Sequence, residues 1–197
     1  SDDDTQTLAA VRDHARGVLE LLPALLGDGA GGDGPQRVRA LVGLDVYRDG
    51  EQLLGQFGAW GAYTASSSGK KVCFALAKPT SSKTNPPNRP RDPAYAFVST
   101  RPAEKVTNEV SVTMGYTLKP GSEATLEVAG ASYAMYAQGD GIWIKNAADE
   151  DRLIDAMRKG TDSTVKGVSS KGTQTTDVFS LKGLSQALDK IAQDCKH

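Results

Sequence analysis

The chain has 197 residues, which suits one domain or one domain with an appendage. Lys plus Arg number 23 against 24 Asp plus Glu, so the basic excess that nucleic acid or an anionic membrane surface demands is missing. Two His and two Cys leave little for a metal site or thiol relay, no cofactor is expected, and no run of apolar residues is long enough to span a bilayer.

In chain order, the opening Ser1-Asp2-Asp3-Asp4 is unlike the basic and then apolar start of a signal peptide; either a signal was removed ahead of this numbering or none existed. Leu8, Val11, Ala15, Val18, Leu22 and Leu25 recur at spacings of three and four, which predicts a helix over 5–22 that Pro23 ends or kinks. Gly27 to Pro35 then reads as a flexible linker, so the expected organisation is an accessory helix and Gly-rich linker over 1–34 and a β-rich domain over 35–197. From Val38 the apolar period drops to two, and Asp49-Gly50 signals a hairpin. Further strands are expected near Gln56–Ala65, Lys71–Lys78, Tyr95–Thr100, Glu109–Tyr116, Ala124–Val128, Tyr133–Gln138, Gly141–Lys145, Ser163–Ser170 and Thr173–Leu181. Asn146 caps a helix with the apolar face Leu153, Ile154 and Met157, stopped at Gly160; a second helix runs from about Leu184 to Cys195. Five prolines between Pro79 and Pro93 predict an irregular loop or rigid arm rather than a strand. The expected fold is mainly β: an antiparallel sandwich or barrel-like domain with a helix before its last two strands and a C-terminal helix.

Motifs for chemistry do not hold up in this context. Gly29-Ala-Gly31-Gly32-Asp-Gly34 spells GxGxxG, but it follows a helix and runs into Pro35 instead of opening a helix after a strand. Gly167 to Gly172 has phosphate-loop glycine spacing, yet Thr173 stands where the lysine is needed. Ser67-Ser-Gly-Lys70 and Ser163-Thr-Val-Lys166 fit S-x-x-K, but in strands positions i and i+3 point to opposite faces. His14 and His197 sit on a peripheral helix and at the last position, poor places to hold a catalytic imidazole. The acidic run Asp149-Glu150-Asp151 is explained by the helix end it caps. The proline-rich segment carries two PxxP matches, and Lys83, Pro87, Arg89, Pro90 and Arg91 make it a candidate partner-docking loop. Trp60, Tyr63, Tyr116, Tyr133, Tyr136 and Trp143 all fall in or beside expected strands, where aromatics fill cores or, alternatively, line a lipid or sugar site.

Phe57-Gly58-Ala59-Trp60 followed by Val72-Cys73-Phe74-Ala75 resembles the opening of invasion-associated locus B proteins. Met157-Arg-Lys-Gly160, Val165-Lys-Gly167 and Ser170-Lys-Gly172-Thr-Gln-Thr-Thr-Asp177 are similar to that family's later strands. Phe179-Ser-Leu-Lys-Gly183-Leu-Ser-Gln-Ala187 with Cys195 is similar to its closing strand, turn and helix, so the resemblance spans about 56–195. It implies a β-rich domain exported to the periplasm or surface of Gram-negative bacteria, linked in some members to host-cell invasion, and no catalytic residues. The expected function is therefore a non-enzymatic envelope protein that meets envelope or host proteins and supports invasion or stress tolerance. The alternative is a β-sandwich that binds a small lipid or sugar; a hydrolase is the third reading.

By count alone, Cys73 and Cys195 are equally two free thiols or one bridge. The strand pattern favours the bridge. Cys73, Ala75 and Ala77 share a face of small side chains that lets a helix approach, and Cys195 falls on the stripe of Leu188 and Ile191. Docking that stripe over the strand brings the two sulfurs together.

Overall fold

The structure, a computed structural model, describes residues 52–67 and 69–195. Residues 52–64 together with those from Lys71 onward form one compact unit. The helix expected over 5–22, the glycine linker, the strand from Val38 and the domain boundary at 34/35 lie outside the described residues.

The unit opens with β1 (Gln52–Phe57), β2 (Trp60–Ser67), β3 (Lys70–Ala77), β4 (Ser81–Asn85), β5 (Tyr95–Arg101) and β6 (Val106–Thr113). Then come β7 (Glu123–Val128), β8 (Ala131–Gln138), β9 (Gly141–Ile144), α1 (Glu150–Lys159), β10 (Asp162–Val168), β11 (Gln174–Ser180) and α2 (Leu184–Asp194). One antiparallel sheet of 11 strands runs in the order β1-β2-β3-β5-β6-β9-β8-β7-β10-β11-β4. It is mainly β as expected, with α1 before the last two strands and α2 after them, but among the described residues it ends in two edges and is not a closed barrel. The sheet curls nonetheless: Trp60 of β2 donates its indole N–H to the Ser180 carbonyl of β11 at 2.8 Å, joining strands near opposite ends of the order.

Most expected strands coincide with observed ones to within a few residues at either end. Two expectations need correcting. The strand placed over Gln56–Ala65 is a hairpin: β1 and β2 pair from Phe57↔Trp60, and Gly58 takes the positive φ of 56° that turns the chain. The Pro79–Pro93 segment is not wholly irregular, because β4 occupies its proline-free stretch and pairs with β11 from Gln174↔Asn85 to Val178↔Ser81. Proline density misled there; the prolines flank the strand, and β4 lies on an edge where missing donors are tolerated.

Alternation sorts the side chains. Cys73, Ala75 and Ala77 of β3 pair with Thr100, Val98 and Ala96 of β5, and this face joins Val110, Val112, Leu126, Met135 and Phe179 in the core. Leu153 and Met157 of α1 and Leu184, Leu188 and Ile191 of α2 close over it. On the opposite face a cross-strand row runs Leu76, Phe97, Ser111, Trp143, Tyr136. Phe74 stacks on Tyr63 at 5.4 Å beside this row. Phe74 and Phe97 are fully buried, so β3 reads as a near-continuous apolar run because both its faces leave water. Asn146 accepts the Ala148 N–H at 3.1 Å in a short 3-10 turn (Ala147–Asp149) that leads into α1, and the Gly160 N–H returns to the Ala156 carbonyl at its end.

Candidate functional site

Three clusters stand out, and the first is a covalent corner. Cys73 on the small inner face of β3 is bridged to Cys195 at the end of α2, with Cα atoms 6.2 Å apart and both residues buried. At the opposite end of α2 two turns interlock. The Ala59 N–H donates to the Lys182 carbonyl at 3.0 Å, and a Cβ on Gly183 would lie 1.8 Å from the Phe57 carbonyl oxygen. Gly183 also holds φ at +89°, so both its conformation and its contact exclude a side chain.

The second cluster is the proline arm between β4 and β5. Arg91 turns inward from it. Its guanidinium makes two parallel bonds to the Asp177 carboxylate, at 2.7 and 2.6 Å, and its Nε–H donates to the Met114 carbonyl at 2.8 Å. The guanidinium carbon also lies 5.0 Å from the centre of the Tyr116 ring. Asp177 is fully buried on the inner face of β11, between Thr175 and Phe179. Tyr116 shares a hydrogen bond with the Thr175 hydroxyl at 2.7 Å; burial pushes its phenol pKa up, against the pull of Thr175 and Arg91. At the arm's far end Gly115 (φ +75°) admits the Asp92 carbonyl, which a Cβ would meet at 2.1 Å. The arm is thus pinned at both its strand ends, since the Arg89 N–H also donates to the Thr84 hydroxyl at 3.2 Å. Of the candidate docking residues, Arg91 is consumed by this pin, while Lys83, Pro87, Arg89 and Pro90 are exposed. A cleft of about 700 Å³ opens on one side of the arm, and another of about 680 Å³ on the other.

The third cluster gathers charge around Arg101, which is almost fully buried. It bonds Glu104 at 2.9 Å and Glu109 at 2.7 Å. Burial works against its charge, but these two carboxylates outweigh it and hold its pKa above the ordinary value. Glu150, in the first turn of α1, faces Glu109. Burial pushes its carboxyl up to about 7, with Glu109 and Asp151 adding to the shift, while the Val110 N–H bond at 3.3 Å opposes it.

The motifs with catalytic spacing come apart. Ser163 is buried and Lys166 exposed on opposite faces of β10. Asp149 pairs with Arg152 at the helix start while Glu150 turns toward β6. Gly167 packs against Tyr116 and Met114 rather than cradling an anion. The side chain of Ser67, the glycines of 29–34, His14 and His197 lie outside the described residues. The aromatics do not converge on one pocket: Trp60, Tyr116 and Tyr133 belong to the inner core, and Tyr63, Tyr136 and Trp143 to the outer face. Sequence reasoning missed Asp177 and the Arg101 group. A carboxylate alternating with Thr175 and Phe179 was the available signal, because an acid at an inward position requires a buried cation.

A family model described as "Invasion associated locus B (IalB) protein" matches residues 60–192, well over half of the chain. The chain belongs to the invasion associated locus B family. No curated protein and no solved structure matches it significantly. In this member the segments that carry the family likeness meet in space. The Phe57-Gly58-Ala59-Trp60 turn meets the Lys182-Gly183 turn and β11 at the start of α2, and the Cys-bearing strand and helix are bridged at its end. The likeness therefore marks how the fold is locked, whereas Lys83 on β4 and Arg89 on the arm are exposed.

Proposed function

We propose that this member of the invasion associated locus B family is a non-enzymatic envelope protein, exported to the periplasm or surface, that acts through contacts with protein or envelope components and supports host invasion or stress tolerance. The observation that carries this reading is the buried Cys73–Cys195 bridge, since such bonds form and persist in oxidising compartments. Family membership supports the same reading, and so does the dispersal of every motif with catalytic spacing among the described residues. Cell fractionation with an antibody, combined with intact-mass analysis after alkylation without reductant, tests it. The expected result is protein in the periplasmic or surface fraction with no labelled thiol. Protein confined to the cytoplasm, or carrying two labelled thiols when taken from its native compartment, would overturn it.

A further inference from the structure

The proline arm is held far more firmly than a solvated loop requires. A buried ion pair contributes little net stability compared with apolar packing of the same volume, because both charges must be stripped of water. What the Arg91–Asp177 pair does supply is position: it fixes a segment bearing four prolines, from Pro86 to Pro93, against the sheet. Rigid elements lose little entropy on binding.

The surroundings of the arm are chemically one-sided. Lys78, Lys83, Arg89 and Lys171 are exposed on the walls of the two clefts and have no ion pair among the described residues. Against them stands Asp92, Asp177 being neutralised by Arg91. This local excess of cations sits on a chain whose net charge is -1, so it is not a by-product of composition. Between the cations the walls are set with hydroxyl groups, Ser82, Thr84, Thr117, Ser170 and Thr173. Each cleft is the size of a small-ligand site, about 300–1,000 Å³, and the two share Thr84, Arg89 and Arg91, so they form one track around the arm.

We infer that this track binds an anionic, carboxylated polysaccharide, with Lys83, Arg89 and Lys171 pairing with its carboxylates and the wall hydroxyls hydrogen-bonding its sugar hydroxyls. The observations favour this ligand over other polyanions. Single-stranded nucleic acid would need open aromatic faces for its bases, whereas the two rings on the cleft walls, Tyr95 and Tyr116, are half-buried and Tyr116 already has Arg91 against it. An anionic lipid surface would need apolar side chains to enter the acyl boundary, and the arm presents prolines, Asn88 and Arg89 at its tip. This inference deepens the envelope reading by naming the partner class. It depends on that reading for its biology but not for its test.

The test uses the full, oxidised chain and a fluorescently labelled oligogalacturonate, with neutral dextran of similar length as control, at low salt and at about 0.15 M. Saturable binding of the oligogalacturonate and none of dextran is expected. Lys83→Glu with Arg89→Glu is expected to weaken binding about tenfold or more, and Lys171→Glu, on the opposite cleft wall, to do the same independently. Lys159→Glu on α1, away from the arm, should bind like the unaltered chain. Circular dichroism of each variant checks folding, and the Lys171 variant keeps the test decisive if the arm variant does not fold. Absence of saturable binding, or arm and Lys171 variants that bind normally, would overturn the proposal. So would equal affinity for double-stranded DNA or for vesicles rich in phosphatidylglycerol, which would point to unselective polyanion capture or a lipid surface. A cytoplasmic location would sink the envelope reading while leaving this binding result standing.

Discussion

Arg91 and Asp177 are separated by 86 residues in sequence, yet they form a bidentate, buried ion pair. With side-chain exposures of 9% and 0%, neither charge recovers water if the other is lost. Arg91→Met should therefore cost about 3–5 kcal/mol in urea denaturation, and adding Asp177→Leu to it should recover part of that loss. A double variant no more stable than Arg91→Met would show that the charge pair is not what holds the arm. Glu150 makes a prediction of opposite kind. Its pKa in the folded chain is about 7, above the ordinary 4.5, so the fold binds its proton more tightly than the unfolded chain does. That contribution is complete below about pH 4.5 and is lost as pH rises through 7. Glu150→Gln keeps an acceptor for the Val110 N–H without the charge. It should match the unaltered chain near pH 5 and be more stable near pH 8, by something on the order of 1–3 kcal/mol after screening. Equal stabilities at both pH values would mean that Glu150 stays ionised.

At the scale of elements, the helix α2 is tied to the sheet by one covalent bond and a stripe of apolar side chains. The loop closed by the bridge is long, with a sequence separation of 122, so chain entropy assigns it roughly 4–5 kcal/mol as an upper figure. Cys195→Ser should lower the melting temperature markedly, and hydrogen exchange should quicken over Leu184–Asp194 before it does in the central strands; uniform quickening would mean that helix and sheet open as one. Much of this was legible. The period-two run of β3 and the 3.6-residue stripe of α2 each place a cysteine on an inward face, and their packing follows from residue size. The hairpin between β1 and β2 was not, because Gly58-Ala59 offers only one turn-forming residue between apolar neighbours, and the run reads through it. The strand β4 was hidden for a different reason: its sequence, Ser81-Ser-Lys-Thr-Asn85, has no apolar side to alternate, since it serves the sheet through backbone bonds alone. The arm's exposure was legible in its prolines and cations. Its anchorage was not, because the partner of Arg91 lies on β11, and nothing local announces a contact of that span.

The described unit closes the curl of its sheet by means other than ladder hydrogen bonds. β1 and β4 stand at the two ends of the order, and edges of this kind invite pairing with other chains. Here one edge carries Lys83 and is flanked by Pro79 and Pro86, which blunts it. The curl is held at the start of α2 by the Trp60–Ser180 bond and the interlocked glycine turns, and the bridge ties the far end of α2 to β3. The same bridge has a further consequence for how the protein meets proteases. From β4 through α2, every exposed connection lies inside the covalent ring that Cys73 and Cys195 close, the arm included. One cut after Lys171, in the exposed turn between β10 and β11, therefore opens the chain without releasing anything. Limited trypsin digestion should yield a species that runs as a single band on a non-reducing gel and as two fragments once a thiol is added. Two fragments without the thiol would show that the ring is open. A molecule built this way keeps its mass, and the contacts made on either side of the cut, after a nick in an exposed turn.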